Sequence, residues 1–195
     1  MNNFKKRLPL LLTLTRVALG PVALAVALRS WPHWLFVPIL IAATLSDIYD
    51  GVLARRYGVA TPALRRFDSI ADVIFHLFIL VCLWLTCRPV VQAAGWAIGV
   101  ILLAEAASIA VCALKFGKYP ATHSYLAKFL GLTMLAGLIA LLGFGAGTWA
   151  VYALLIVDVL ANVEIIIIHL LADQPPVDVK SVFTWYRSRR RASPP

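Results

Sequence analysis

Six apolar runs, each about as long as a bilayer is thick, leave this chain few ways to fold. They lie around Leu8 to Leu28, Trp31 to Tyr57, Thr61 to Thr86, Val90 to Leu114, His123 to Gly145 and Thr148 to Ala172. Each reaches the roughly 20 residues that a transmembrane helix needs. Lipid offers no partner to backbone N–H and C=O groups, so runs of this kind fold as helices. With 195 residues, 62% hydrophobic and 14% charged, and a mean hydropathy of +0.87, the chain carries more apolar surface than one soluble core of its size buries. The expected fold is all-α: a polytopic membrane domain of six transmembrane helices over residues 1–172, followed by a basic tail over 173–195. The first run follows Lys5, Lys6 and Arg7 as a signal peptide would, but its apolar part exceeds an h-region of roughly 7 to 15 residues and five more runs follow, so it reads as a retained helix.

The basic residues set an orientation. Lys5, Lys6 and Arg7 precede the first run; Arg55, Arg56, Arg65 and Arg66 flank the second connection; Lys115 and Lys118 lie in the fourth; Lys180, Arg187, Arg189, Arg190 and Arg191 fill the tail. The first and third connections hold only Arg29 and Arg88. The positive-inside rule then places both termini in the cytoplasm. The net charge of +9 is topology and attraction to anionic lipid; no basic patch interleaved with stacking aromatics points to nucleic acid. Trp185 and Tyr186 beside the arginines read as an interfacial anchor or a solvated topogenic tail. Cys82, Cys87 and Cys112 are odd in number and lack metal-ligand spacing, so they read as packing residues.

Against this apolar background stand four aspartates, Asp47, Asp50, Asp68 and Asp72. An Asp at mid-membrane costs roughly 2.5 to 3.5 kcal/mol on insertion scales, so it faces a cavity, a partner or a cofactor. Tyr57 and Gly58 read as the end of the second helix and Thr61-Pro62 as the N-cap and first position of the third, which makes the two helices antiparallel neighbours. At about 1.5 Å per residue, Asp50 and Asp47 lie about 12 and 16 Å from Gly58, and Asp68 and Asp72 about 10 and 16 Å from Thr61. Asp50 therefore faces Asp68, and Asp47 faces Asp72. Residues three or four apart share a helical face, so all four carboxylates converge. Their mutual repulsion calls for cations, and hard oxygen ligands without His or Cys suit Mg, Mn or Ca ions. Gly51 and Ala54, small residues on the same stripe, leave room for a metal-bound phosphate.

The segment Asp47, Asp50-Gly51, Ala54-Arg55, Asp68 and Asp72 resembles the signature of the CDP-alcohol phosphotransferases, D-x2-D-G-x2-A-R-x8-G-x3-D-x3-D, at seven of its eight fixed positions over 26 residues. The eighth, a glycine near the bound nucleotide in that family, is Leu64 here. Pro9, Thr13, Arg16 and Pro21 are similar to the opening of the phosphatidylglycerophosphate synthase type, although Leu10 stands where those proteins often have Asn. The resemblance implies an enzyme that moves a phosphatidyl group from CDP-diacylglycerol to a hydroxyl acceptor and releases CMP. By position it implies that Asp47, Asp50, Asp68 and Asp72 hold two Mg2+ or Mn2+ ions, with Asp72 also the general base. Asp47, Gly51, Ala54, Arg55 and Leu64 would line the nucleotide. It also implies a homodimer in a bacterial inner membrane, and the positive-inside rule puts the connections nearest these acids, and so the active site, on the cytoplasmic side. Glycerol 3-phosphate is the first acceptor to consider; cardiolipin, phosphatidylserine and inositol-phosphate products stay open.

An anionic acceptor needs cations, and Arg65, Lys118 and Lys128 are candidates, with topogenic charge or snorkelling to headgroups as the plainer reading. Glu105, Asp158, Asn162 and Glu164 read as interhelical hydrogen bonding or a dimer contact, His76 and His169 as packed residues, and His123, near Lys118, as a residue that could reach an acceptor. Two other functions fit parts of the pattern. A divalent-cation transporter lined by the four acids predicts ion flux without CMP release, and a silent relative is suggested by Leu64.

Overall fold

The computed structural model describes residues 3–117, 125–172, 179, 181 and 182. The described residues are helical: α1 (Asn3–Leu28), a 3-10 turn (His33–Leu35), α2 (Phe36–Arg56), α3 (Pro62–Thr86), α4 (Arg88–Ala93), α5 (Gly95–Phe116), α6 (Tyr125–Leu138), a π-helical turn (Ile139–Gly143) and α7 (Thr148–Leu171). They form two compact units, Met1–Val91 with Leu138–Ala146, and Gln92–Gly137 with Gly147–Pro195.

Five of these helices are long and apolar enough to cross a membrane: Lys5–Leu28, His33–Arg56, Arg66–Thr86, Gly95–Phe116 and Thr148–Leu171. The remaining apolar segment, Lys128–Gly143, is shorter. The fourth apolar run does not begin a long helix at Val90; a six-residue helix, Arg88–Ala93, comes first, and the long helix starts at Gly95. Leucines such as Leu103 and Leu114 point outward, 70% and 88% exposed, as the lipid-facing surface of a membrane helix does.

In the first unit α1 packs along both α2 and α3. Its inner face is a stripe at three- and four-residue spacing, Pro9, Thr13, Arg16, Gly20, Ala23 and Val26, all buried. Small residues let the helices approach closely. A Cβ on Gly20 would come within 2.6 Å of Phe78 Cδ2, so α1 and α3 meet at that glycine. Ala71, Phe75, Ile79 and Cys82 form the buried face of α3, and Phe36, Leu40, Ala43, Ser46, Asp50 and Ala54 that of α2. The helices α2 and α3, expected to be direct neighbours across their short turn, do not pack along one another; α1 packs along both and joins them.

The turn between α2 and α3 follows its residues. Tyr57 N donates to Leu53 O at 2.9 Å, Gly58 takes the left-handed conformation at φ 67°, and Thr61 Oγ1 accepts from Leu64 N at 3.2 Å ahead of Pro62. The π-helical turn also belongs to this unit. His33 Nδ1 donates to Leu142 O at 3.1 Å and Cys87 Sγ to Leu141 O at 3.3 Å. Gly143 sits so close to Val37 that a Cβ would fall 2.8 Å from its Cγ2.

In the second unit α5 packs along α7. Lys115 Nζ donates to His169 O at 3.0 Å and Leu170 O at 2.6 Å, satisfying carbonyls that the C-terminus of α7 leaves open. Asp158 and Asn162 share a buried face, and Asn162 Nδ2 donates to Asp158 O at 3.1 Å and Oδ1 at 3.2 Å. Gly137 faces Leu154, whose Cδ1 would lie 2.8 Å from an added Cβ.

Candidate active site

The four aspartates meet at a single guanidinium. From the buried stripe of α1, Arg16 Nη2 reaches Asp50 Oδ2 at 2.6 Å and Asp68 Oδ1 at 3.1 Å. Its Nη1 reaches Asp47 Oδ1 at 3.0 Å and Asp72 Oδ1. Each nitrogen thus takes one acid from α2 and one from α3, at the two heights that the turn geometry predicts. Arg has five N–H donors in a planar fork, and only such a fork serves two pairs of carboxylates at once. One turn before it, Thr13 Oγ1 lies 3.0 Å from Asp50 Oδ2 and 3.1 Å from Pro9 O, so its one proton is shared between the carboxylate and its own helix.

Burial grades the site from inside to outside. The Arg16 side chain is 2% exposed and that of Asp50 5%, whereas Asp68, Asp72 and Asp47 are 33%, 38% and 48% exposed. A wall of the site is closed by α1, and its acids open to the other side. Four carboxylates against one guanidinium leave negative charge over. Ligand oxygens of Asp47, Asp50 and Asp68 all lie within 4.8 Å of one another. Asp68 Oδ1 is buried without a hydrogen bond aligned to it, its ion pair with Arg16 notwithstanding. Excess charge, all-oxygen donors and an under-satisfied buried oxygen fit a hard divalent cation such as Mg2+ or Mn2+.

Gly51 is half-buried, and the nearest atoms to a Cβ placed there are Arg55 Nη1 and Nη2 at 3.8 and 3.9 Å. Arg55 therefore folds back over the glycine that follows Asp50, its guanidinium lying against that stretch of helix. Ala54, expected beside the nucleotide, is only 6% exposed and packs inward. Leu64 sits half-buried in the first turn of α3, its N–H on Thr61. The Arg65 side chain, Lys118 and His123 lie outside the described residues. Lys128 is exposed, with its ammonium 5.9 Å from the Tyr125 ring. His76 donates from Nδ1 to Asp72 O at 2.8 Å, one turn back on its own helix.

Arg16 and Thr13 are the site residues that sequence reasoning missed. The signal was present: an arginine within the first apolar run carries the same membrane penalty as the aspartates, and the acids lacked a counter-charge. In the sequence, Thr13 and Arg16 stand out only through the N-terminal resemblance.

A family model described as CDP-alcohol phosphatidyltransferase matches residues 6–171. The chain belongs to this family. No curated protein and no solved structure matches it. As a CDP-alcohol phosphatidyltransferase it is a membrane-bound transferase of phospholipid biosynthesis, which moves a phosphatidyl group from a CDP-alcohol to an acceptor. The match takes in four of the five long apolar helices whole and all but the first residue of the other, and the acid cluster lies within it.

Proposed function

We propose that this CDP-alcohol phosphatidyltransferase takes CDP-diacylglycerol as donor and glycerol 3-phosphate as acceptor, forming a phosphatidylglycerophosphate and releasing CMP. The observation that carries the reading is the convergence of all four signature aspartates, from two helices, on one point that is closed by α1 and open on the other side. A donor whose tails stay in lipid and whose nucleotide stays in water is suited to such a site near a helix connection.

In this reading Asp47, Asp50, Asp68 and Asp72 hold two Mg2+ or Mn2+ ions, which would neutralise the diphosphate and stabilise departing CMP. Asp72, 38% exposed at the end of the acid row, accepts the proton of the acceptor hydroxyl. The freed oxygen forms a bond to the phosphatidyl phosphorus, the bond from that phosphorus to the CMP oxygen breaks, and CMP carries away the electron pair. Gly51 gives the nucleotide backbone to lie against, and Arg55 flanks it. Arg65, Lys118 and Lys128 are the cations proposed for an acceptor phosphate. The working form is proposed to be a homodimer in a bacterial inner membrane, with both termini, the site and the basic tail on the cytoplasmic side, the segment around α6 completing six spans.

The test is product identification. Purified protein with CDP-diacylglycerol and Mg2+ is offered glycerol 3-phosphate, inositol phosphate, serine or phosphatidylglycerol separately, and the lipid product is read by mass spectrometry. A phosphatidylglycerophosphate formed only with glycerol 3-phosphate supports the proposal. A product with another acceptor replaces that part of it, and ion flux without CMP release would move the protein to a different class.

A further inference from the structure

Arg16 takes one oxygen from each carboxylate: Oδ1 of Asp47, Oδ2 of Asp50, Oδ1 of Asp68 and Oδ1 of Asp72. Asp47, Asp50 and Asp68 also bring ligand oxygens within 4.8 Å of one another. The arginine approaches from the closed side, 1% exposed, whereas three of the acids are a third to a half exposed on the other. Its buried Nε has no hydrogen-bond partner, so what holds the guanidinium in place is the acids themselves together with the packing of α1. Thr13 adds a second hold on Asp50 from the same stripe.

From this we infer that Arg16 is a positioning residue for the metal site: it gathers the four carboxylates from two helices and holds them in the orientation in which they present oxygens to the divalent cations. The inference rests on the reading of these acids as a metal site. It has a distinctive sign. A bare positive charge beside a cation site weakens binding by repulsion, so if Arg16 acted only as a charge, removing it would strengthen metal binding. A group that orients ligands does the opposite, and loss of such an outer partner costs typically about 10–100-fold in metal affinity.

The experiment is a Mn2+ titration followed by electron paramagnetic resonance on chelator-washed protein in detergent, comparing wild type, Arg16→Gln, Arg16→Lys and Asp68→Asn. Helicity and melting of each variant are measured alongside. Arg16→Gln is expected to bind Mn2+ about 10–100-fold more weakly with a broadened signal, and Arg16→Lys, which keeps the charge but not the fork, to recover only part of the loss. Equal or tighter binding by folded Arg16→Gln, with wild type binding and Asp68→Asn impaired, overturns the role of Arg16 and leaves the metal reading intact. Wild type that binds no Mn2+, or Asp68→Asn that binds as well as wild type, overturns both.

Should the arginine variants fail to fold, wild type decides. Among the arginines whose side chains are described, Arg16 is the buried one, so its guanidinium protons are expected to exchange more slowly than those of the exposed arginines. Fast exchange in the metal-free protein would itself contradict the closed packing of α1 on which the inference stands. On saturation with Mg2+, nitrogen-detected spectra should retain these slow resonances, shifted. Their loss to fast exchange would mean that the cation displaces the guanidinium, and would overturn the inference.

Discussion

Thr13 and Asp50, 37 residues apart in sequence, meet at 3.0 Å between Oγ1 and Oδ2, on the oxygen that Arg16 Nη2 also holds at 2.6 Å. One turn of α1 thus grips the most buried of the four acids twice. Thr13→Val keeps the side chain's size and removes this donor. Interhelical hydrogen bonds in membranes are worth about 0.6 to 2 kcal/mol, so the variant should melt a few degrees lower in detergent. It should also bind Mn2+ several-fold more weakly, as read by the same titration. Unchanged melting and binding would mean that Thr13 serves its own helix through Pro9 O.

The distance between α1 and α3 is set at Gly20. A side chain there overlaps Phe78 through Cδ2, Cγ and Cβ at 2.6 to 3.3 Å, so the clash involves the root of the ring and is not relieved by swinging its tip. Gly20→Val should cost about 1 to 3 kcal/mol as overpacking and pull Arg16 away from Asp68 and Asp72. Loss of CMP release together with lower thermal stability is expected. Gly99→Ala, within α5 and with open space around its Cβ, is the control that should lower neither, since Ala favours a helix interior over Gly.

Cys82, Cys87 and Cys112 are 0%, 6% and 2% exposed. A maleimide should therefore label the folded protein slowly at all three and rapidly after denaturation in SDS. Fast labelling of Cys87 in the folded protein would contradict the seat of the π-helical turn, because Cys87 Sγ is bonded to Leu141 O.

Lys115 closes the end of α7 through two carbonyls, His169 O and Leu170 O. Lys115→Met keeps the aliphatic stem and removes both bonds and the charge at the negative end of the helix. At about 0.5 to 1.5 kcal/mol per hydrogen bond, about 1 to 3 kcal/mol of stability should be lost, visible as a lower unfolding midpoint. The first unit does not contain this contact, so Mn2+ affinity should hold.

Much of the acid site was legible because it is local. The turn from Tyr57 to Pro62 has end-of-helix and start-of-helix chemistry written in consecutive residues, and a fixed rise per residue then places Asp50 level with Asp68 and Asp47 level with Asp72. The shared Arg16 nitrogens reproduce that pairing. What joins the pairs was not legible, because it comes from a third helix at long sequence separation, and no spacing rule reaches from Arg16 to Asp72. Ala54 illustrates the other limit. Periodicity put it on the acidic stripe, but whether a residue at the edge of a stripe faces a pocket or a neighbour depends on packing, and here it is buried. The π-helical turn Ile139–Gly143 carries no polar residue to mark it, and the short helix Arg88–Ala93 is set off only by Gln92 and Gly95 within a stretch whose average hydropathy reads as one run.

The most direct measurement is CMP release from CDP-diacylglycerol and glycerol 3-phosphate by the purified protein, with and without chelation of divalent metal, beside Asp72→Asn. Release that stops on chelation, returns with Mg2+ or Mn2+, and falls at least a hundredfold in folded Asp72→Asn, a size ordinary for removal of a general base, is the predicted result. Release that persists under chelation or in Asp72→Asn would contradict a metal-dependent transfer carried by these four aspartates.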